Sequence, residues 1–177
     1  MTAAHKPDFA LTLETPLGLM TLAEERGAIT ALFWGTSGEQ QPTALLRRAS
    51  RLLERYFAGQ CVAFDLPLEP AGTPFERRVW KALRTIPWGE TRTYGEIARQ
   101  SGGSPRAVGQ AVGHNPIPII IPCHRVVAAR GLGGFSAPGG VDTKRALLKL
   151  EGSLEADDLF ADCRWRMGTD RKSEAMA

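Results

Sequence analysis

The sequence has few of the residues that build metal centres and disulfide frameworks. Its three cysteines, Cys61, Cys123 and Cys163, are far apart and odd in number, a pattern that predicts no disulfide framework. They also lack the paired spacing of a structural zinc site, and the chain has only three histidines. We therefore expect no metal and no cofactor, and thiols that stay free in a reducing cytoplasm.

Long apolar runs are missing as well. No stretch approaches the roughly 20 apolar residues that a membrane span needs, and the first residues contain no apolar segment typical of a signal peptide. Hydrophobic residues make up 43% and charged residues 23% of the chain, as in a soluble globular protein. These features predict a cytoplasmic protein that does not contact membranes, and we expect a monomer.

The formal net charge of +3 conceals an uneven distribution along the chain. Residues 1–72 carry 6 basic and 8 acidic side chains, residues 73–152 carry 12 and 5, and residues 153–177 carry 4 and 6. The middle segment therefore has a net charge of +7, which suits a polyanionic partner. On charge alone, a solvated basic face explains the same numbers equally well.

Residues 1–66 predict a small α+β scaffold domain. Residues 9–15 alternate between apolar and polar, as in a half-buried strand, and 19–23 and 29–34 predict further strands joined by a hairpin turn at Arg26-Gly27. Residues 43–57 have helical spacing, with Gly59 after their end. Residues 61–64 predict a further edge strand, in which Cys61 is a buried small hydrophobe. Residues 67–74 form a proline-rich linker, and residues 153–177 predict a loosely ordered tail.

Residues 75–152 predict a mostly helical second domain. Thr73 and Thr93 each precede a helical pattern and have glutamate three positions later, an arrangement close to a capping box. The helix from Thr93 is followed by Ser-Gly-Gly and by another helix from 106 to about 114. This order is typical of a helix-turn-helix, although any short helical hairpin has a similar pattern.

The second of these helices contains an unusual number of small residues. Ala107, Gly109, Ala111 and Gly113 fall at alternate positions, and each interior glycine costs about 1 kcal/mol relative to alanine. Either close packing against another helix or close approach to a nucleic-acid groove would explain them.

The most informative segment ends in Pro122-Cys123-His124-Arg125. A cysteine near a histidine is the minimal arrangement for an activated thiolate, which is the form that attacks. Adjacent side chains usually diverge, so proton transfer from Cys123 to His124 would run through a water. Glu151, at the end of the helix predicted for 143–150, is the candidate to orient the imidazole. Taken alone, however, a Cys-His pair is more often structural than catalytic.

Residues 122–126 resemble the active-site signature of the O⁶-alkylguanine-DNA alkyltransferases. The similarity extends in order through residues 73–152, in the segments 87–91, 93–98, 106–109, 113–116 and 144–152. It implies an α+β fold, in which a small ribonuclease-H-like N-terminal α/β domain precedes a mostly helical domain with a helix-turn-helix. It also implies direct, irreversible transfer of the alkyl group of O⁶-alkylguanine in double-stranded DNA to Cys123, once per molecule.

The resemblance also implies roles for individual residues at the reacting centre. Cys123 would be the nucleophile, His124 its base through water, and Glu151 the partner of His124. Asn115 would join the recognition helix to the active-site segment. Tyr94 would press on the target phosphate and assist proton delivery to the departing guanine.

DNA contacts are implied in the same way. Arg106 would fill the gap that the flipped nucleotide leaves, which explains the small residues Ala107, Gly109 and Gly113 around it. Arg125 would contact DNA beside the active site, and Ser136 would lie in the loop that recognises the base.

Two alternatives remain at this point. A non-catalytic sensor of alkyl lesions would bind the same DNA, but relatives of that type replace the cysteine that this chain retains as Cys123. A papain-class hydrolase would use a Cys-His pair but gives no role to Arg106. Phe135 stands where many relatives have tyrosine, so the preferred alkyl size stays open, as does activity on O⁴-alkylthymine.

Overall fold

The computed structural model describes residues 7–38 and 40–154. The chain begins with three antiparallel strands, β1 (Phe9–Thr15), β2 (Gly18–Glu25) and β3 (Ala28–Trp34), in the order β1-β2-β3. Arg26 and Gly27 have φ of 50° and 78°, the left-handed pair that a tight hairpin requires. The three predicted strands and the predicted hairpin are therefore confirmed.

Helix α1 (Ala44–Phe57) packs on one face of this sheet. Thr43 caps it by accepting a hydrogen bond from Leu46 N, and Gly59 with φ of 78° follows its end. Its buried stripe meets the inward side chains of the strands, as its helical spacing predicts; Leu22, Leu32, Leu46 and Leu53 are each at most 1% exposed.

The expected edge strand at 61–64 is wrong, and so is the burial of Cys61. Residues 61–67 form no strand, and Cys61 is exposed. The outer edge of β3 is paired further along the chain, because Ile29 N donates to Pro67 O and Glu69 N donates to Ile29 O, each at 2.9 Å. Part of the segment expected to be a linker therefore pairs with the sheet.

The second half of the described chain is mainly helical. Its elements are α2 (Pro74–Leu83), β4 (Arg92–Thr93), α3 (Tyr94–Ser101), α4 (Pro105–Gly113), a 3₁₀ turn (Cys123–Arg125), β5 (Val126–Val127) and α5 (Gly140–Leu150). Both capping boxes form, at Thr73 with Glu76 and at Thr93 with Glu96. Helices α2, α3 and α4 pack against one another, and Gly102 and Gly103 connect α3 to α4.

Two short contacts determine where the functional side chains lie. The parallel pairing of β4 with β5 places Tyr94, the first residue of α3, beside the segment that follows Cys123. Leu32 N donates to Pro116 O at 2.9 Å, so β3 abuts the segment that precedes Cys123. The two halves share one hydrophobic core, and the division into 1–66, 67–74 and 75–152 stays a prediction.

No helix of the described part is long and apolar enough to cross a membrane. The expected tail falls, from residue 155 onward, outside the described residues, as does Cys163.

Candidate active site

Cys123 begins the 3₁₀ turn at the end of a compact apolar segment. Ile121 N donates to Ile117 O and Cys123 N donates to Ile121 O, at 2.9 and 2.8 Å. Between them Ile119 has φ of 73°, a conformation that a β-branched residue rarely adopts and that surrounding structure must enforce. The thiol is consequently held in one place, and Cys123 is 5% exposed.

Opposing effects act on the Cys123 thiol. Burial raises its pKa, whereas hydrogen bonds from the Asn115 side chain and from backbone groups, together with the positive charge of Lys144, lower it in part. The net direction is upward, so the resting group is a thiol and needs a base to become a nucleophile.

His124, the residue after Cys123, forms a buried pair with Glu151. His124 Nε2 lies 2.7 Å from Glu151 Oε1, and both side chains are fully buried. Burial lowers the pKa of His124, and Glu151 offsets this only in part, so the imidazole is neutral at neutral pH. Because Nε2–H donates to the carboxylate, Nδ1 carries the free lone pair, and this buried atom has no protein partner among the described residues.

Arg125 binds the same carboxylate from another side. Its Nε donates to Glu151 Oε2 at 2.7 Å and its Nη2 to Oε1 at 3.0 Å, while Nη1 donates to Ile86 O at 2.6 Å. Burial raises the pKa of Glu151, but hydrogen bonds from His124 and Arg125 outweigh it and lower that pKa to about 2. Arg125 is only 8% exposed, and its guanidinium is bonded inside the protein; the expected contact of Arg125 with DNA stays a prediction.

Asn115 lies between α4 and the apolar segment. Its Nδ2 donates to Ile121 O at 2.8 Å, and its Oδ1 accepts from Ile117 N at 3.0 Å. These bonds join the end of α4 to the residues that place Cys123.

A cavity of about 450 Å³ opens over Cys123. Four parts of the chain line it: the end of β3 (Leu32, Phe33, Trp34), Tyr94, one face of α4 (Gly109, Val112, Gly113) with Asn115, Pro116 and Pro118, and the loop 134–137. Tyr94 and Ser136 are therefore both at the cavity, whereas Arg106 and Ala107 lie on α4 outside its lining. Arg106 is exposed.

The small residues of α4 divide between two faces. Ala111 is buried against α2, where Trp80 Nε1 donates to its carbonyl oxygen at 2.8 Å. Gly109 and Gly113 face the cavity instead: a Cβ would lie 3.9 Å from Tyr94 Cε1 at Gly109 and 3.4 Å from Ser136 Oγ at Gly113. Larger side chains there would meet Tyr94 and the 134–137 loop. Close packing against another helix therefore explains Ala111, whereas close approach to a nucleic-acid groove stays a prediction for Gly109 and Gly113.

Two family models match this chain in succession. The ribonuclease-like domain of 6-O-methylguanine DNA methyltransferase matches residues 10–70, and the DNA-binding domain of that protein matches residues 74–153. The chain belongs to the 6-O-methylguanine DNA methyltransferase family.

Individual family members are similar over most of their length. The methylated-DNA–protein-cysteine methyltransferase of Mycobacterium tuberculosis is 48% identical over 84% of this chain and 94% of its own. The constitutive methylated-DNA–protein-cysteine methyltransferase of Bacillus subtilis is 40% identical over 81% of this chain and 95% of its own. The crystal structure of Mycobacterium tuberculosis OGT in complex with DNA superposes with a TM-score of 0.73, at 46% identity over 82% of this chain and 93% of that one.

The site of this family member also contains two buried polar residues, Lys144 and Tyr56, which the sequence pattern did not single out. Lys144 Nζ donates to Val126 O at 2.5 Å and to Gly134 O at 3.1 Å, and lies 5.9 Å from the centre of the Tyr94 ring. Burial lowers the pKa of Lys144 to about 8. Its position on the buried face of α5, with Leu147 and Leu148, was the available signal, because a lysine on an apolar helix face needs a reason.

The other is Tyr56 of α1, whose hydroxyl donates to Glu151 Oε1 at 2.6 Å. It occurs in the buried stripe of α1, and a buried tyrosine usually finds a hydrogen-bond partner. The sequence could therefore indicate that Tyr56 has a partner, but not that the partner is Glu151, 95 residues away.

Proposed function

We propose that this protein repairs double-stranded DNA by transferring the alkyl group of O⁶-alkylguanine to its own Cys123, irreversibly and once per molecule. One observation carries the proposal: the Cys123 thiol lies beneath a cavity large enough for a base, and the next residue is His124, whose neutral imidazole Glu151 orients. The proposed site of action is the cytoplasm, where DNA and free thiols occur together.

The first step is activation of the thiol. His124 Nδ1 takes the proton of Cys123 through a bridging water, and the Nε2–H bond to Glu151 stabilises the imidazolium that forms. The Lys144 charge and the Asn115 hydrogen bond, which both lower the pKa of Cys123, favour the thiolate. The role of each residue is part of the proposal.

The second step is displacement at the alkyl carbon. The sulfur–carbon bond forms as the bond from that carbon to guanine O6 breaks, and guanine leaves with a proton. Tyr94 is the proposed donor, because it lines the cavity together with Cys123. Burial and the neighbouring Cys123 raise the pKa of its hydroxyl, so the group is protonated at neutral pH. The product is a thioether, which no neighbouring group can hydrolyse, so turnover ends after one transfer.

Access to the target atom requires the nucleotide to leave the base stack, at a cost of a few kcal/mol. We assign DNA contact to α3, the Gly102-Gly103 turn and α4, which form the proposed helix-turn-helix. Arg106, exposed in the first turn of α4, fills the vacated position in the duplex, and Ala107 lies beside it. We assign contact with the flipped base to Ser136, which lines the cavity.

The test is intact-mass measurement after mixing with duplex DNA that contains O⁶-methylguanine. We expect the mass of one methyl group on each chain, lost in Cys123→Ser and kept in Cys61→Ser, since Cys61 is exposed and does not line the cavity. Lesion binding without a gain in mass would contradict the transferase and support a sensor. Methylation of Cys61 instead would contradict the assignment of Cys123.

A further inference from the structure

The N-terminal half of the chain reaches the buried pair of His124 and Glu151 through one side chain. Tyr56, in the last turn of α1, is fully buried. Its hydroxyl donates to Glu151 Oε1 at 2.6 Å and lies 3.3 Å from His124 Nε2. The sequence predicts this half as a scaffold domain, and this contact gives it a side chain at the buried pair.

We propose that Tyr56 is a positioning residue for alkyl transfer, which holds Glu151 and through it keeps His124 in the form with a free Nδ1. The inference rests on the proposed function, because it concerns the base of that reaction.

The hydrogen-bond inventory around the carboxylate supports this role. Glu151 Oε1 accepts from Tyr56, from His124 Nε2 and from Arg125 Nη2, while Oε2 accepts from Arg125 Nε. A tyrosine has one proton to donate, and here Glu151 receives it. Toward His124 Nε2, the Tyr56 oxygen can therefore only accept.

That geometry decides which imidazole nitrogen carries the proton. Both neighbours of Nε2, the carboxylate and the tyrosine oxygen, are acceptors, so Nε2 keeps its hydrogen and Nδ1 remains the basic atom. The hydroxyl does not lose its own proton instead, since burial and the adjacent Glu151 raise the pKa of Tyr56 well above its ordinary value.

The ring of Tyr56 has a separate packing role, which an experiment must distinguish from that of the hydroxyl. It contacts Phe57, Phe64 and Trp88, with ring centres 5.4, 5.9 and 5.3 Å apart. Tyr56→Phe keeps this ring and removes only the hydroxyl. Phe57→Leu is the matched control, because it disturbs the same aromatic cluster one residue away without touching Glu151.

Loss of the hydroxyl should also change the pH dependence of transfer. With one donor fewer, the Glu151 carboxylate stabilises the protonated imidazole more strongly, so the pKa of His124 rises. The base is active only when neutral, so the midpoint of the rate against pH moves to higher pH. Among residues 7–38 and 40–154, the charged or titratable groups that face the pair are Tyr56 from α1, Cys123 and Arg125 from the 3₁₀ turn, and Lys144 from α5.

The experiment measures single-turnover methyl transfer from duplex DNA as a function of pH for the whole chain and both variants. We expect Tyr56→Phe to be about tenfold slower at neutral pH, as for loss of a hydrogen bond to a charged group, with its midpoint at higher pH and DNA affinity unchanged. Phe57→Leu should keep the wild-type midpoint. Equal midpoints in all three proteins would overturn the proposal.

A second measurement does not depend on the variants. Nitrogen NMR of isotope-labelled histidine in the wild-type protein should show His124 protonated at Nε2 and free at Nδ1, and a proton on Nδ1 would overturn the proposal even if Tyr56→Phe failed to fold. Failure of the proposed function has a different result, since the wild-type chain itself would then accept no methyl group.

Discussion

Asn115 holds Ile121 in place through a hydrogen bond of 2.8 Å from Nδ2 to the Ile121 carbonyl oxygen. The bond closes the segment in which Ile119 adopts its left-handed conformation, and Cys123 N in turn donates to the same Ile121 carbonyl oxygen. The Asn115 side chain also bonds to the Cys123 thiol and lowers its pKa against the effect of burial. One amide therefore both places the nucleophile and favours its ionisation.

Asn115→Asp should impair transfer through charge more than through geometry. It keeps an acceptor for Ile117 N, but it replaces the amide donor with a negative charge beside the thiol, so the pKa of Cys123 rises. We expect transfer to be about tenfold slower at neutral pH, with partial recovery as the pH is raised. Single-turnover rates across pH test this, with Asn115→Ala as the control that lacks the added charge. Identical pH profiles for the two variants would contradict the explanation.

The sequence predicts those helices, strands and turns that depend on local sequence patterns. Strand alternation, the Arg26-Gly27 hairpin and the capping boxes at Thr73 and Thr93 each depend on residues within a few positions of one another. The error at 61–64 has the opposite cause. Residues 61–64 alternate between exposed and half-buried, as in a strand. The edge of β3 is nevertheless occupied by residues 67–69, and local periodicity does not reveal which of two segments pairs with that edge.

The same distinction applies to the candidate site. Cys123, His124 and Asn115 belong to one local motif, whereas Tyr56 and Lys144 reach the site from distant helices. The family resemblance implies a DNA contact for Arg125. The fold brings Glu151, 26 residues further along the chain, to the Arg125 guanidinium. The charge-assisted hydrogen bonds of this buried pair hold the guanidinium inside the protein.

Glu151→Gln should destabilise the fold as well as slow transfer. Removing the charge leaves the buried Arg125 guanidinium without its anion, and breaking a buried pair typically lowers the free energy of unfolding by about 3–5 kcal/mol. Chemical denaturation at neutral pH measures this change. Glu90→Gln is the control, since Glu90 pairs with Arg92 at the surface, where such pairs contribute about 0–1 kcal/mol. Similar losses in both variants would contradict a special role for the buried pair.

The lowered pKa of Glu151 also predicts how the free energy of unfolding depends on pH. Its pKa of about 2 in the folded protein is below the ordinary value of 4.5, so its contribution is present in full above about pH 4.5 and is lost as the pH falls toward 2. The free energy of unfolding of the wild-type protein should fall across this range, and more steeply than that of Glu151→Gln. Parallel pH profiles for the two proteins would show that another group is responsible.

Arg106→Ala should slow repair only when the target base must be flipped from a duplex. Arg106 is exposed in the first turn of α4 and does not line the cavity, so its loss leaves the reacting groups in place and should change the free energy of unfolding by less than about 0.5 kcal/mol. On duplex DNA, the gap left by the flipped nucleotide is then unfilled, and we expect transfer to be at least about tenfold slower, because flipping costs a few kcal/mol. With free O⁶-benzylguanine, which needs no flipping, the rate should match that of the wild type.

Arg84→Ala is the matched control for this prediction, because it removes an equal charge from an exposed position at the end of α2, outside the proposed helix-turn-helix. Loss of a phosphate contact alone weakens binding and its salt dependence but not the rate at saturating DNA. Single-turnover rates on saturating duplex and on the free base therefore separate flipping from binding. Equal slowing of Arg106→Ala on both substrates would place Arg106 in the chemistry of the site, and wild-type rates on both would exclude it from flipping.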